Sequence, residues 1–360
     1  MDQEASSGFD SPAVDEVVFE QLALRLFRLQ AVANGCYRRI VEYSLPSVEA
    51  VDTWRQIPAV PTAAFKEYEM TALGKGQRLF VFRSSGTTER NRSQHFHSRE
   101  SVGLYERSLT DWFSAHFFSG EPSFALRGCI LTPSPAVVPD SSLVHMFETV
   151  RQCQEFSEIE FYGVVSLTEG WELDGDRLVE VLEQSCLAGM PAALLGTAFS
   201  YVQLLDVLSA SGRVLKLPAE SRLLETGGYK GQTREIEKGE LYRLLSEVLG
   251  IPKDHMVSEY GMSELSSQAY DHRIGDGRSS NHDRCFRLPS WARFRVVSPE
   301  TGLEVGIGES GLIQVFDLAN VWSVMGIQTE DLGRRLEEGV VLLGRAAEAE
   351  VRGCSLMPEI

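Results

Sequence analysis

Short apolar runs alternate with longer helical patterns through the middle of the chain. Leu79–Phe82 and Cys129–Leu131 are short and apolar, whereas Arg177–Ala188 and Ile236–Leu249 have helical spacing. This alternation strongly constrains the fold, because strands that alternate with helices pack as a sheet covered by helices. The sequence therefore predicts an α/β protein with an at least partly parallel sheet.

The two ends of the chain depart from this pattern. Between Asp15 and Tyr43, apolar residues recur at helical spacing and predict an amphipathic helical region. These residues are Val18, Leu22, Leu26, Leu29 and Val32. The last third is β-rich and predicts a hairpin or barrel-like element. Its strand-like runs are Phe294–Val297, Leu312–Phe316 and Val340–Leu343.

The charge balance limits the partners of the chain. Its 360 residues carry 34 Lys and Arg against 51 Asp and Glu, a formal net charge of −17. This acidity argues against a protein that coats nucleic acid or an anionic membrane, because both surfaces require a basic footprint. Any phosphate-binding site in this chain must be locally basic against the overall field.

Hydropathy and cysteine usage favour a cytoplasmic location. The N-terminus is acidic and lacks the apolar core of a secretory signal. The uncharged stretch Gln184–Leu205 is long enough to span a membrane. Because Gly189, Pro191 and Gly196 interrupt it, we interpret it as a buried segment. The 6 cysteines are widely spread without a C-x-x-C pair, which is typical of a reducing compartment.

A Ser/Thr/Gly-rich segment directly follows the strand-like run Leu79–Phe82. Phosphate oxygens only accept hydrogen bonds, so a loop that offers backbone N–H groups and several hydroxyls suits a polyphosphate. The segment lacks the G-x-x-x-x-G-K pattern of a Walker loop, and a solvated turn is the alternative interpretation. The candidate residues are Ser84, Ser85, Gly86, Thr87 and Thr88.

Two later segments carry side chains suited to a nucleotide. In Glu259–Leu265, Tyr260 has a ring that could stack on a base, and Glu264 has a hard oxygen ligand for Mg²⁺. In Thr329–Gly333, the carboxylate of Asp331 could accept hydrogen bonds from two ribose hydroxyls. Taken singly, each segment is also compatible with an ordinary turn.

The order and spacing of these three segments resemble the adenylate-forming superfamily of acyl-CoA synthetases, peptide-synthetase adenylation domains and luciferases. Within it, the chain resembles the acyl-protein synthetases of the bacterial luminescence fatty-acid reductase system, the LuxE type. This resemblance implies a large domain of two mixed sheets flanked by helices, with a β-barrel-like subdomain. It covers nearly the whole chain and includes Ile57–Lys66, Thr226–Lys230, Leu265–Tyr270, Asp317–Asn320 and Arg352–Leu356.

The resemblance also implies how the chain would hold ATP. The loop from Ser84 to Thr88 would contact the phosphates. Gly227 and Gly228 would let the backbone approach the adenine closely, and Tyr260, followed by Gly261, would stack on it.

The remaining implied contacts concern the metal, the ribose and the hinge. Ser263 and Glu264 would hold phosphate and Mg²⁺, and Asp331 would bind the ribose. Arg345 lies where the superfamily has its nucleotide-contacting arginine near the hinge.

One position departs from the superfamily pattern for the phosphate loop. The common pattern has glycine after the two threonines and a lysine soon after, whereas this chain has Glu89 and Arg90. A carboxylate beside a triphosphate is repulsive. Arg83, Arg90 and Arg92 are the cations that could offset this repulsion.

A second departure concerns the C-terminal lid of the superfamily, about 100 residues in size, as small domains are. Because the chain ends shortly after Arg345, we expect this lid and its carboxylate-contacting lysine to be absent. The predicted organisation is a loose leader over 1–12, one catalytic domain over 1–340 and a short tail over 341–360. Lys230 could neutralise the carboxylate or the α-phosphate instead; a surface lysine is the alternative.

The tail contains Cys354, preceded by Gly353. Adenylation gives a carboxylate a good leaving group, after which a thiolate can attack the carbonyl to form a thioester. In the acyl-protein synthetases that the chain resembles, a C-terminal cysteine carries the acyl group, and Cys354 is the matching position. The alternative is a free cysteine packed as a small apolar residue.

Three other patterns carry less weight. Gly306–Gly311 matches G-x-G-x-x-G, but a strand-like run follows it instead of a helix, so we predict a β-turn and no NAD site. The spacing of His272, His282 and Cys285 matches no standard zinc site. The pattern around His95–His97 fits a pocket lining or an exposed strand equally well.

Together with the resemblance, these observations predict an enzyme, an AMP-forming ligase. It would convert a carboxylate and MgATP to an acyl-adenylate and pyrophosphate, then transfer the acyl group to a thiol, Cys354, and on to a partner protein. One alternative is a stand-alone ligase that makes an acyl-CoA, an acyl-carrier-protein thioester or an amide. Another is an inactive nucleotide-binding subunit of a complex. These residues do not indicate which carboxylic acid supplies the acyl chain.

Overall fold

The computed structural model describes residues 15–84, 92–118, 125–152, 156–166, 170–227, 236–276 and 284–346. Two main sheets and two hairpins account for the described strands. The predicted α/β class is confirmed.

A six-stranded sheet forms the centre of the fold, in the order β11-β10-β9-β8-β4-β5. All neighbours in it are parallel except β10 and β11. The strands β8 and β9 are almost entirely buried, as expected for parallel strands with helices on both faces. The strands are β4 (Leu126–Ile130), β5 (Phe156–Phe161), β8 (Ala192–Thr197), β9 (Arg222–Thr226), β10 (Met256–Tyr260) and β11 (Ala269–Tyr270).

Helices cover both faces of this sheet. One hydrophobic core lies between the sheet and α6, α7 and α8, and a second lies between the other face and α4 and α5. These helices are α4 (Arg99–Phe117), α5 (Ser142–Gln152), α6 (Gly175–Ala188), α7 (Ala198–Ala210) and α8 (Lys238–Leu249). The uncharged stretch Gln184–Leu205 thus contains the end of α6, all of β8 and the start of α7. No described helix combines the length and apolarity needed to cross a membrane.

The β-rich last third builds most of a five-stranded sheet, as its pattern predicts. In it β14 pairs with β1, β13 and β15, and β12 pairs with β13. Helices α1, α2 and α3 pack beside this sheet and share a third core with it. Its strands are β1 (Val60–Pro61), β12 (Ala292–Val297), β13 (Ser310–Asp317), β14 (Gly326–Arg335) and β15 (Val340–Arg345), and the helices are α1 (Glu16–Ala33), α2 (Gly35–Ser44) and α3 (Ala64–Glu67).

Two antiparallel hairpins complete the described strands. In the first, β2 (Phe80–Arg83) pairs with β3 (Gln94–His97). In the second, β6 (Gly163–Ser166) pairs with β7 (Gly170–Leu173). The segment Gly306–Gly311 runs into β13, which begins at Ser310, so a strand and not a helix comes next, as predicted.

The helical prediction for the N-terminal region is confirmed, but its buried face is not the predicted one. Of the five residues whose spacing predicts the helix, only Leu26 is buried; the other four are exposed. The helix turns a different set inward, because its neighbours are α2 and the five-stranded sheet. The buried apolar residues of α1 are Phe19, Ala23, Leu26, Phe27 and Ala31.

Candidate active site

The carboxyl ends of β9 and β10 bring two of the predicted segments together. These strands are parallel neighbours, with Thr226 opposite Glu259. The residue after β9, Gly227, has φ of 67°, in the left-handed region that favours glycine. Tyr260 ends β10 one residue beyond Glu259. Ligands of such sheets bind at the carboxyl ends of the strands, so the position agrees with the predicted nucleotide contacts.

A hydrogen bond joins the central sheet to the five-stranded sheet at this point. The hydroxyl of Tyr260 donates to Oδ2 of Asp331 over 2.8 Å, although the two residues are 71 positions apart. Burial, followed by the negative charge of Asp331, raises the pKa of Tyr260 well above its ordinary value. Tyr260 therefore remains a protonated donor.

Arg345 completes this group of predicted residues. It lies opposite Asp331 in the β14–β15 ladder, with Nε 3.9 Å from Oδ1 of that carboxylate. The side chain of Arg345 is 65% exposed, so water screens the pair and the pair adds little to stability. Its guanidinium is accessible for a ligand. Tyr260, Asp331 and Arg345, which were predicted separately, thus contact one another in sequence through the Asp331 carboxylate.

Gly261 leaves room for a buried carboxylate that the sequence analysis assigned no role. A Cβ atom at position 261 would collide with Oε1 of Glu259. The same carboxylate accepts a hydrogen bond from the hydroxyl of Thr226, which links the ends of β9 and β10. The adjacent Tyr-Gly pair is the signal that could have drawn attention to Glu259.

Ser263 and Glu264 lie just beyond this turn and are both buried. The Ser263 hydroxyl donates to Oε2 of Glu264 over 3.2 Å. In the described part of the chain, no basic side chain pairs with Glu264. A buried carboxylate with one hydroxyl donor and no cation is costly, and Mg²⁺ in phosphate sites needs only one or two carboxylates besides phosphate and water. Glu264 therefore fits the metal role, although no cluster of three or more potential ligands occurs among the described residues.

His95 on β3 is tied to the same segment. Its Nδ1 is 2.9 Å from the backbone oxygen of Ser263. A carbonyl oxygen only accepts, so Nδ1 carries the proton. Burial lowers the pKa of His95 to about 4, and the ring is neutral near pH 7. The side chain is thus neither on an exposed strand nor free in a pocket: it connects β3 to the Ser263 backbone.

Ser84 is the only residue of the predicted phosphate loop within the described chain. It directly follows β2, and its hydroxyl accepts a hydrogen bond from the backbone N–H of Ser93 over 2.9 Å. Its carbonyl accepts a second bond from Nε of Arg92 over 2.6 Å. The other loop residues lie outside the described residues: Ser85, Gly86, Thr87, Thr88, Glu89 and Arg90.

The two described cations beside this loop share one acid. Oδ2 of Asp140 lies 3.4 Å from Nη1 of Arg83 and 3.0 Å from Nη1 of Arg92. The backbone oxygen of Asp140 also accepts from the Arg83 N–H. Sequence reasoning missed Asp140 because it lies far along the chain in the segment between β4 and α5. Part of the positive charge at the loop is therefore already balanced within the chain.

The remaining predicted residues cannot be placed: Gly228, Lys230 and Cys354 lie outside the described residues. Four other cysteines are described, and all are free thiols. Burial raises the pKa of Cys129 to about 12, so this thiol remains protonated and unreactive. These four cysteines are Cys36, Cys129, Cys186 and Cys285.

The chain is similar to known proteins in both sequence and fold. The family model described as "Acyl-protein synthetase, LuxE" matches residues 15–359. A comparison with curated protein sequences gives no match. Among solved structures, the chain is similar to 2-hydroxyisobutyryl-CoA ligase in an open conformation with 2-HIB-AMP and CoA. The sequence identity is 12%, the match covers 96% of this chain and 74% of that chain, and the TM-score is 0.66.

A second structure of that ligase, in the postadenylation state with R3-HIB-AMP, gives the same picture. Its identity is 12%, the match covers 94% of this chain and 69% of that chain, and the TM-score is 0.68. At such identities the likeness concerns the fold alone. It agrees with the predicted large mixed α/β domain of adenylate-forming enzymes.

Proposed function

Because the chain belongs to the LuxE acyl-protein synthetase family, we propose that it activates a carboxylic acid with MgATP and then transfers the acyl group to a thiol. The observation that carries the first step is the convergence of Tyr260, Asp331 and Arg345 at the carboxyl end of β10. Side chains suited to a base, a ribose and a phosphate thus lie together.

In the first step, a carboxylate oxygen attacks the α-phosphorus of ATP, and pyrophosphate leaves with the electron pair of the broken P–O bond. Asp331 accepts hydrogen bonds from the ribose hydroxyls, and the Tyr260 ring stacks on the adenine. Arg345 faces the phosphate. A magnesium ion held by Glu264 would neutralise phosphate charge. Positioning and electrostatic stabilisation do most of the work in such a displacement.

In the second step, a thiolate attacks the acyl carbonyl, the bond to the phosphate oxygen breaks, and AMP leaves. The proposed nucleophile is Cys354, because the resembled synthetases carry a cysteine there. The acyl group then passes to a partner protein. Lys230 would neutralise the reacting carboxylate or the α-phosphate.

Carboxylate-dependent exchange of pyrophosphate into ATP tests the first step. We expect exchange with at least one acid in a panel of short, long-chain and aryl carboxylates. In Asp331→Ala, loss of the ribose contacts should weaken ATP binding about 10- to 100-fold, because hydrogen bonds to a charged group contribute about 1.5–3 kcal/mol. Glu330→Ala is the matched control, since Glu330 is the exposed neighbour on the same strand.

Unchanged ATP affinity in Asp331→Ala would refute the ribose assignment. No exchange with any acid in the panel would favour the inactive nucleotide-binding subunit. Both results refer to the first step and leave the role of Cys354 to a separate measurement.

Intact-mass measurement tests the second step. After incubation with ATP and an accepted acid, the wild-type chain should gain the mass of one acyl group, and hydroxylamine should remove it. Cys354→Ala should keep pyrophosphate exchange but lose the acyl mass, whereas Cys36→Ala, the control, should keep both. If Cys354→Ala delivers product at the wild-type rate, the stand-alone ligase is the correct alternative.

A further inference from the structure

The ends of β10 and β11 carry buried polar side chains that the proposed mechanism does not use. Glu259 lies directly opposite Tyr270 in the antiparallel pairing of these strands. A Cβ atom at position 261 would collide with Oε1 of Glu259 and lie 3.6 Å from Cγ of Gln268, so these two side chains are neighbours. All three residues are at most 6% exposed. We call Glu259, Gln268 and Tyr270 the β10–β11 polar group.

Two members of this group have polar atoms without a hydrogen-bond partner. In the part of the chain that the structure describes, nothing bonds to Oε1 of Gln268 or to the hydroxyl of Tyr270. A buried polar atom left unpaired is costly, and in native structures such atoms commonly serve a ligand or a reaction. Because an amide oxygen only accepts hydrogen bonds, the partner that Gln268 lacks is a hydrogen-bond donor.

Glu259 makes the surroundings of these atoms negative. Burial, followed by the charge of Glu259, raises the pKa of Tyr270 well above its ordinary value. The same two causes raise the pKa of Tyr105 on α4. Both phenols therefore remain protonated, and the field around them favours a ligand that donates hydrogen bonds.

A third unpaired acceptor lies against α4. Nε2 of His97 is buried and has no partner among the described residues. The hydroxyl of Ser101 donates to the carbonyl of Ser98 over 3.3 Å. It therefore accepts from Nδ1 of His97, 3.2 Å away, and Nε2 is left as an acceptor. The ring of Tyr105, one turn further along α4, is 6.3 Å from the His97 ring and is itself within the field of Glu259.

The polar group faces away from the proposed nucleotide contacts but adjoins them. Successive side chains of a strand point to opposite faces of the sheet, so Glu259 and Tyr260 point in opposite directions. Tyr260 contacts Asp331, the proposed ribose ligand, whereas Tyr270 packs against Phe113 of α4. An acid whose carboxylate reacts at the end of β10 can thus direct its remaining atoms toward Glu259 and α4.

The following inference rests on the proposed function and concerns its acid substrate. We propose that this acid carries an amino or hydroxyl group, which donates hydrogen bonds to the β10–β11 polar group through Gln268 and Tyr270. A long unsubstituted alkyl chain would leave these buried atoms unpaired. A site built to bond a polar substituent discriminates strongly against the analogue that lacks it.

Pyrophosphate exchange with matched acids tests the proposal. One set is benzoate, para-hydroxybenzoate and para-aminobenzoate. A second is hexanoate, ω-hydroxyhexanoate and ω-aminohexanoate, with dodecanoate as the long alkyl acid. In at least one set, kcat/KM should be about 10- to 100-fold higher for a substituted acid than for its parent and for dodecanoate. The preferred substituent distinguishes an O–H donor from an N–H donor.

Gln268→Met tests the residue itself, because methionine has a similar length but cannot replace the amide. The ratio of kcat/KM between substituted and parent acid should fall about 10-fold or more, and this ratio cancels any change in ATP binding. Gln203→Met is the matched control, since Gln203 is a half-buried glutamine on α7, at the other face of the sheet. It should keep the wild-type ratio. Without substrate, Gln268→Met should raise the thermal midpoint, because it removes an unpaired buried amide oxygen.

Three results would overturn the proposal. They are equal use of parent and substituted acids, an unchanged ratio in Gln268→Met, and a lower thermal midpoint in that variant, which would show that the amide has a structural partner. Absence of exchange with every acid would refute the proposed function and this inference with it. The two failures are distinguishable, because an enzyme that accepts only unsubstituted acids still exchanges pyrophosphate.

Discussion

His95 joins two segments that the sequence separates by 168 positions. It lies on β3, in the hairpin that carries the Ser/Thr/Gly loop, and Nδ1 donates to the backbone oxygen of Ser263. The ring is buried and neutral. It therefore ties β3 to the segment that contains the proposed metal ligand, Glu264, at any pH near neutrality.

We expect the position of the donor atom to matter more than the imidazole itself. His95→Asn places an amide nitrogen where Nδ1 was, whereas His95→Gln moves the amide one bond further. His95→Gln should raise the KM for ATP about 3- to 10-fold, the cost of one neutral hydrogen bond, and His95→Asn should stay close to the wild type.

Steady-state kinetics with ATP varied would measure this, with kcat reported separately from KM. Equal effects of the two variants would contradict the assignment. A dependence of the wild-type KM on pH between 6 and 8 that disappears in His95→Asn would contradict it as well, since the pKa of His95 is about 4.

At the scale of elements, β14 positions Asp331 beside an irregularity in the five-stranded sheet. The pairing of β14 with β15 shifts between Leu332 and Gly333. A Cβ atom on Gly333 would overlap Val340 and lie 2.8 Å from Cδ1 of Ile313. The glycine thus allows three strands to pack closely within two residues of the proposed ribose contact.

Gly333→Ala should therefore lower the free energy of unfolding by about 1–3 kcal/mol, the usual cost of an overpacked core. Gly103→Ala is the matched control, for which we expect the opposite change in the free energy of unfolding. Gly103 lies on the exposed side of α4 with no atom within 4 Å of a new Cβ, so alanine should raise stability by about 0.5–1 kcal/mol. Urea denaturation of both variants measures the difference, and a neutral Gly333→Ala would show that the sheet can relax.

The elements also separate what local pattern can predict from what packing determines. The spacing of Val18, Leu22, Leu29 and Val32 predicts a helix, and α1 is present. The same spacing points to the wrong buried face, because Phe19, Ala23 and Phe27 form a second apolar stripe on the same helix. A helix with two apolar stripes satisfies its local pattern with either face inward.

At the scale of the whole molecule, burial keeps three histidines of the folded chain neutral near pH 7. Burial lowers the pKa of His95 and His116 to about 4. Burial, followed by repulsion from His95, lowers the pKa of His97 to about 2. In the unfolded chain, by contrast, histidine titrates near pH 6.5.

The sign of the resulting pH dependence follows from proton counts. Between about pH 7 and pH 5, the unfolded chain binds protons at these sites and the folded chain does not. Acidification therefore stabilises the unfolded state, by on the order of 1–2 kcal/mol per buried histidine at pH 5. We expect the urea midpoint to fall as the pH is lowered from 7.5 to 5.

A His97→Phe variant removes one of these titrations, so its midpoint should depend less on pH over the same range. Denaturation curves of both proteins at pH 7.5, 6 and 5 provide the comparison. If the urea midpoint changes equally with pH in both proteins, His97 titrates alike in the folded and unfolded chains.

Much of the fold could be predicted from local signals, and the same signals supplied the candidate site that remains a prediction. Strand and helix periods predicted the α/β class, and the segments around Ser84, Tyr260 and Asp331 predicted a nucleotide site that the resemblance joined into one. The contact between Tyr260 and Asp331 agrees with that expectation.

The contacts that depend on distant neighbours were not predictable in this way. The inward face of α1, the sharing of Asp140 by Arg83 and Arg92, and the bond from His95 to Ser263 each join segments far apart in the chain. The physical reason is that side-chain periodicity records which residues avoid water, whereas a hydrogen bond or ion pair depends on which partner the folded chain brings within about 3 Å. Sequence pattern therefore sufficed for the elements and the motifs, and packing determined their partners.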